Sequence, residues 1–231
     1  MNRTSGSDGE SVSVHNRQMS GTPTLPIDWG SVRAVGLDLM DTLIHDPFRE
    51  VIPRVSGMTL EELGRRRDVA AFHAFELDRI SEEEFGERFF LPAEGCGLDI
   101  GRLWAELDRG YRFLDGMEIL ITELAARLPI LILSNCSRWY ERVRNRFELD
   151  RFVAQHYASF RVGARKPDPL YFERVLARAR LAPRQLLFVD DRPVNVAAAH
   201  AAGLPALQFS GARRLRRELA PLLARPLRGG L

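Results

Sequence analysis

The chain is poor in three things: among its 231 residues it has one lysine, two cysteines and no apolar run of 18 residues. Without such a run no helix can cross a bilayer, so a membrane partner is not expected. Charge of one sign is missing as well, because 33 basic residues face 31 acidic ones and leave a net +2. That balance does not build the positive field that nucleic acid requires, so no nucleic-acid partner is expected either. Arg213, Arg214, Arg216 and Arg217 form the one dense basic group and read as the solvated face of a late helix. Cys96 and Cys136 stand 40 residues apart with no Cys-x-x-Cys pair, which removes a disulfide framework and a structural zinc site and fits a reducing compartment. The five histidines show no His-x-x-x-His spacing, and no Gly-x-Gly-x-x-Gly follows the first strand. Neither a zinc or iron centre nor a redox dinucleotide is therefore expected.

What is present is ordinary for a globular chain, 45% hydrophobic and 28% charged. Residues 1–28, rich in Ser, Gly, Thr, Asn and Pro, show no hydrophobic periodicity and read as a disordered tail. The tail lacks the apolar stretch of a secretory signal, and Asp8 and Glu10 argue against a transit peptide, so a cytoplasmic protein is expected. From Ser31 the run SVRAVGLDLMDTLI reads as a buried strand, and LPILILSN, RQLLFVDD and LPALQF read as three more, with QHYASF a weaker fifth. Helical pattern separates them, including DGMEILITELAARL, with Asp115 as its expected N-cap, and PDPLYFERVLARARL, which opens on Asp168 and prolines. Alternating strands and helices predict an α/β fold with a parallel sheet covered on both faces, Rossmann-like in type. Residues 48–110 are helical throughout and read as a small cap inserted after the first strand, leaving 29–47 and 111–231 as the core.

In such a sheet the loops at the carboxyl ends of the strands converge on the ligand crevice. Those ends carry Asp38, Met40 and Asp41 after the first strand, Ser134 and Asn135 after the second, and Asp190 and Asp191 after a later one. The single lysine, Lys166, also falls between strands. Everywhere else the chain uses arginine, so this position calls for a compact ammonium rather than a broad guanidinium. Three carboxylates, a hydroxyl and an ammonium at one rim suit a divalent hard cation beside a phosphoryl group. Asp38 and Asp191 are accordingly expected within about 6 Å of each other.

The segments GLDLMDTL, ILILSN, GARKPDP and LLFVDDRPVN resemble, in order, the four motifs of the haloacid dehalogenase-like (HAD) hydrolase superfamily, over about residues 33–210. The resemblance implies a core with a helical cap that closes over a small phosphorylated substrate. It implies that Asp38 is the nucleophile and forms an aspartyl-phosphate. Ser134, Asn135 and Lys166 would then bind the phosphoryl group, while Asp38, Met40 through its carbonyl, Asp190 and Asp191 would hold Mg²⁺, with Asp191 the favoured direct ligand. Most phosphatases of the family carry a proton-transferring Asp two residues after the nucleophile, where this chain has Met40. Either Asp41, His45 or Asp46 substitutes, or turnover is slow, or the chemistry is different.

Three readings stay open: a phosphatase, a 2-haloacid dehalogenase, and a catalytically weak binding or regulatory protein. The string DLMDTLIHDPF, together with FELDRISEEEF, GYRFLDGM, SNCSRWY and FVDDRPVN, is similar to the plant plastid flavin mononucleotide (FMN) phosphatase group, which also has Met at the acid position. That likeness implies FMN as a substrate. It would give Phe72, Phe75, Phe89, Phe90 and Trp104 of the cap, or Trp139-Tyr140 past Ser134, a flavin ring to stack on, although core packing explains aromatics at helical spacing equally well. Cys136 reads as a small buried hydrophobe. The sequence leaves the oligomeric state open.

Overall fold

In a computed structural model, which describes residues 25–94 and 97–228, five parallel strands form the sheet of an α/β core. They are β1 (Ala34–Leu37), β4 (Ile130–Ser134), β5 (Gln155–Ala158), β6 (Leu186–Asp190) and β7 (Ala206–Gln208), in spatial order β5-β4-β1-β6-β7. Each had appeared as an apolar run, for a physical reason: both faces are covered. Val35, Ile132 and Leu187 belong to one buried cluster, and their neighbours Ala34, Leu133 and Phe188 belong to another on the opposite face. Central β1 pairs with β4 through Val35 and Ile130 and with β6 through Val35 and Leu187, so the sheet reverses its winding direction at β1. Ligands of open parallel sheets bind at such a point.

A two-stranded ribbon was not legible. β2 (Ile44–His45) pairs antiparallel with β3 (Arg112–Phe113), and between them run α1 (Phe48–Ser56), α2 (Leu60–Arg66), α3 (Val69–Glu76), α4 (Glu82–Glu87) and α5 (Ile100–Gly110). Four of these helices open on side-chain caps, α1 being the exception. Thr59 and Ser81 each close a capping box with the glutamate three residues on, and Asp68 and Asp99 accept from backbone N–H groups of their first turns. The insert is tied to the core by Arg138, which grips Asp78 at 2.5 and 2.6 Å, by Arg142 on Glu82 at 2.8 Å, and by Arg165 on Glu76 at 2.7 Å.

The remaining helices cover the sheet: α6 (Met117–Ala125), α7 (Trp139–Arg146), α8 (Ser159–Val162), α9 (Pro169–Ala179), α10 (Pro193–Ala201), α11 (Ala212–Glu218) and α12 (Ala220–Leu223). Asp168 caps α9 through the Leu170 N–H at 2.9 Å, with Pro169 in the first turn. Asp115 does not cap α6. Gly116 stands at that position with φ of 80° and no side-chain acceptor, a left-handed conformation that glycine adopts without penalty. Ile27 packs on the core and Asp28 accepts the Gly30 N–H at 3.1 Å, so these two residues do not belong to the expected tail. Residues 1–24 and Cys96 lie outside the described residues. Arg213, Arg214, Arg216 and Arg217 sit on α11, exposed, with Arg214 paired to Glu218 and Arg216 to Glu123. No helix among the described residues is long and apolar enough to cross a membrane.

Candidate active site

Every residue singled out at a strand end arrives at one crevice. Asp38, Met40, Ser134, Asn135, Lys166 and Asp191 line a cavity of about 230 Å³, and fully buried Asp190 lies behind them. Asp38 follows β1, where its N–H donates to Val189 on β6 at 2.9 Å. The next residues fold into a tight turn in which Asp41 has φ of 56° and the N–H groups of Leu43 and Ile44 return to the Leu39 carbonyl.

Lys166 is only 1% exposed and spends all three donors of its ammonium. Its Nζ meets Asp38 Oδ1 at 2.8 Å, Asp190 Oδ2 at 2.6 Å and the Leu133 carbonyl at 2.7 Å. Burial opposes its charge, but Asp38 and Asp190 outweigh that and hold the ammonium above its ordinary pKa. Asp38 is pushed up to about 7, by burial first and then by Asp190 and Asp191, with Lys166 pulling the other way. Asp191, half-buried, is raised by burial first and then by Asp190 and Asp41, with Lys166 again opposing. Ligand oxygens of Asp38, Asp190 and Asp191 lie within 4.8 Å of one another, a group of carboxylates that can hold a metal ion. The expected approach of Asp38 to Asp191 is thus observed.

The carboxylates do not play equal parts. Asp190 is saturated: besides Lys166 it accepts Asn195 Nδ2 at 2.9 and 3.0 Å and the Arg192 N–H at 2.9 Å. Asp191 makes no ion pair among the described residues, and its backbone N–H donates to buried Thr42 Oγ1 at 3.1 Å. Asn135, expected at the substrate, lines the cavity and has a second duty. Its amide donates to the Lys166 carbonyl and accepts the Lys166 N–H, both at 2.8 Å, so both ends are occupied in holding the lysine segment. Ser134 is the contrary case, since its Oγ is buried and has no hydrogen-bond partner among the described residues. A buried hydroxyl costs free energy unless something accepts or donates to it, and a phosphoryl oxygen at this rim would do so.

Thr42 and Asn195 went unassigned in the sequence, although each sits at a fixed offset from a motif aspartate, four after Asp38 and five after Asp190. The aromatic wall was only half legible. Phe72, Phe75 and Trp139 line the cavity, but Phe89 and Phe90 are buried away from it, Trp104 packs behind Trp139, and the hydroxyl of buried Tyr140 meets His156. Phe48, Phe85 and Tyr111 complete the wall from three other segments. Phe75 stacks on Phe85 with centroids 4.2 Å apart. Burial pushes the Cys136 thiol far up, which fits the inert role expected of it.

This fold and this rim belong to one class of enzyme. The family model for haloacid dehalogenase-like hydrolases matches residues 32–203, and the chain belongs to that family. It is 33% identical over 186 residues to flavin mononucleotide hydrolase 1 of the Arabidopsis thaliana chloroplast, covering 80% of this chain and 75% of that protein. It superposes with TM-score 0.71 and 25% identity on a HAD-like family hydrolase from Porphyromonas gingivalis, over 85% of this chain and all of that one. It also superposes with TM-score 0.66 and 18% identity on a HAD family enzyme from Bacteroides thetaiotaomicron in complex with magnesium and inorganic phosphate, over 78% of this chain and 96% of that one.

Proposed function

We propose that the protein is a magnesium-dependent phosphomonoester hydrolase acting through an aspartyl-phosphate on Asp38, with FMN or a phosphate ester of similar aromatic body as substrate. The observation that carries this is the pairing of a lysine-anchored carboxylate with a buried, partnerless serine hydroxyl on one cavity. Asp38 is aimed and charge-compensated by Lys166, which leaves its second oxygen to attack phosphorus. Ser134 Oγ holds a phosphoryl oxygen, and the Asn135 amide keeps Lys166 in place. The donor set is all oxygen and suits Mg²⁺: Asp38 and Asp191 would hold the ion with the Met40 carbonyl, and Asp190 would stand behind them as the counter-ion of Lys166. When bound, the ion offsets the repulsion between an anionic nucleophile and an anionic phosphoryl group. A haloacid substrate would use Asp38 as its nucleophile but give the adjacent pair Asp190 and Asp191 no cation to hold, which disfavours the dehalogenase reading.

The experiment is a phosphate-release screen over FMN, nucleotides and sugar phosphates, with magnesium and with excess chelator. Hydrolysis of FMN that vanishes on chelation is expected, and release that is indifferent to chelator would reject the metal. Magnesium should also raise the melting temperature, since a ligand of the folded state at 100 times its Kd adds about 2.7 kcal/mol. An unchanged melt at millimolar magnesium would count equally against the acidic site.

The aromatic wall gives the substrate proposal its own test. A cavity of 230 Å³ is below the roughly 300–1,000 Å³ of common ligand pockets, so a flavin ring must displace wall residues as it enters. Phe72 is the suitable probe, being partly exposed and set edge-on to Phe48 and Phe85. Phe72→Ala is expected to raise KM for FMN about 3–10-fold, the scale of one lost aromatic contact, and to leave KM for a small aliphatic phosphate within about twofold. Equal shifts for both substrates would remove the wall from substrate recognition.

A further inference from the structure

Met40 lines the cavity, but its thioether has no proton to give, so the leaving oxygen of an ester bound at Asp38 needs another donor. Resting on the phosphomonoesterase reading above, we propose that Asp46 is the proton-transfer group of this site, acid in the first step and base in the second.

Asp46 stands between β2 and α1, where the core passes into the helical insert, and lines the same cavity as Asp38, Ser134 and Lys166. The segment is fixed. The Asp46 N–H donates to Asp41 Oδ1 at 3.0 Å, and Asp46 Oδ1 accepts the Phe48 N–H at 2.9 Å, while its other oxygen accepts no hydrogen bond from the described residues. The next residue, buried Pro47, lies so close to Gly110 at the end of α5 that a Cβ there would sit 2.5 Å from the proline ring. Glycine alone permits that approach, and it locks the junction that presents Asp46.

The other acids near the cavity are already engaged. Glu76 is held by Arg165 at 2.7 Å. The Asp41 side chain is half exposed and accepts the Asp46 N–H. His45 Nε2 lies 3.0 Å from Glu50 without making a hydrogen bond, and His45 does not line the cavity. Asp38 and Asp191 belong to the acidic cluster. Among the described residues, Asp41 and Asp46 are the cavity carboxylates outside that cluster with no lysine or arginine within 4 Å, and of the two Asp41 is exposed whereas Asp46 is partly buried. Its surroundings favour a proton that comes and goes. Burial pushes it up to about 6, the Phe48 N–H opposes this and Asp41 adds to it, with His45 and Arg49 pulling down from the same segment. Tyr111 at the end of α5 and Cys136 after β4 face it from the other elements, both neutral. A group titrating near the working pH is the efficient proton carrier.

The steps balance. Asp38 carboxylate forms a bond to phosphorus as the ester P–O bond breaks, and the departing alkoxide takes the Asp46 proton to leave as an alcohol. Water then attacks phosphorus, Asp46 carboxylate takes its proton, and the P–O bond to Asp38 breaks, which releases phosphate and restores both carboxyl groups.

Asp46→Asn keeps an oxygen for the Phe48 N–H and so keeps the turn. Tested in the full chain with magnesium, the variant should release about one p-nitrophenolate per site from p-nitrophenyl phosphate in a burst. Steady turnover should then be about 10²-fold or more below the parent, because an activated leaving group needs no acid but the water still needs a base. On FMN or butyl phosphate, which need both, the same or a larger loss is expected with no burst. Adding Met40→Asp to Asp46→Asn should recover about tenfold or more on the alkyl esters. Alkyl turnover within threefold of the parent, or a uniform loss with neither burst nor recovery, overturns the assignment. If Asp46→Asn fails to fold, the parent decides: rates on aryl and alkyl esters within about tenfold of each other support an acid at work, and a steep fall on alkyl esters refutes one. A parent that hydrolyses neither ester with magnesium rejects the phosphomonoesterase reading itself, a result separable from failure of Asp46.

Discussion

Replacing Asp38 by asparagine is expected to abolish hydrolysis, with a loss on the order of 10⁴–10⁶-fold, while the melting temperature holds or rises. The size follows from covalent catalysis, in which removal of the nucleophile takes away nearly all of the rate that the site supplies. Stability responds for a different reason. The cluster holds Asp38, Asp190 and Asp191 against a single ammonium. Asparagine is nearly isosteric, removes one of the mutually repelling carboxylates, and leaves Lys166 with Asp190 at 2.6 Å and the Leu133 carbonyl at 2.7 Å. Activity and stability should therefore move in opposite senses, which a loss through misfolding cannot imitate. Phosphate release together with thermal melts decides it, and a residual rate within tenfold of the parent would reject covalent attack by Asp38.

Why the strands could be read and the cavity could not follows from the range of the forces involved. A strand covered on both faces must be apolar at consecutive positions, so β1, β4 and β6 announce themselves in any window of five residues. β2 and β3 are two residues each and too short to carry a period. The motif aspartates and Ser134 were placed because strand ends converge, a rule of topology rather than of side-chain detail, whereas Lys166 was placed by being the chain's one lysine and by the resemblance of GARKPDP to a family motif. Side-chain duties are tertiary. The amide of Asn135 binds Lys166, which lies 31 residues on, and Asp190 is saturated by Lys166, Arg192 and Asn195. Phe48, Phe85 and Tyr111 reach the cavity from separate elements and carry no local signal of doing so. Trp139 and Tyr140, adjacent in sequence, end up with one facing the cavity and the other behind it, as successive helical positions point 100° apart.

Lys166→Met should be the most damaging single change to the fold. Methionine fills a similar volume but leaves Asp38 and Asp190 buried without a cation, with Asp191 close by. Removing one partner of a buried ion pair costs about 3–5 kcal/mol, or roughly 6–20 °C for a chain of this size. The sign of its pH dependence can be worked out. Burial and the neighbouring aspartates already hold Asp38 above the ordinary carboxylate range, at about 7. Without the ammonium that opposes them it rises further, so the folded state binds more protons than the unfolded one, and stability falls as pH climbs through the interval between their pKa values. The gap between parent and variant should therefore be widest near pH 8 and shrink towards pH 5. Magnesium at pH 8 should recover part of the melting temperature by supplying positive charge to the same carboxylates, yet activity should stay lost because nothing aims Asp38. Lys166→Arg keeps the charge and meets a different obstacle. The three acceptors converge at 2.6–2.8 Å on a single point, a place for an ammonium and too tight for a planar guanidinium. Overpacking of this kind costs about 1–3 kcal/mol, and activity should fall by about 10²-fold or more as Asp38 is displaced. Melts of both variants at pH 5 and pH 8, with and without magnesium, test the whole argument. A Lys166→Met melt within 2 °C of the parent at pH 8 would mean that the carboxylates are not charged against one another, and the lone lysine would lose its explanation.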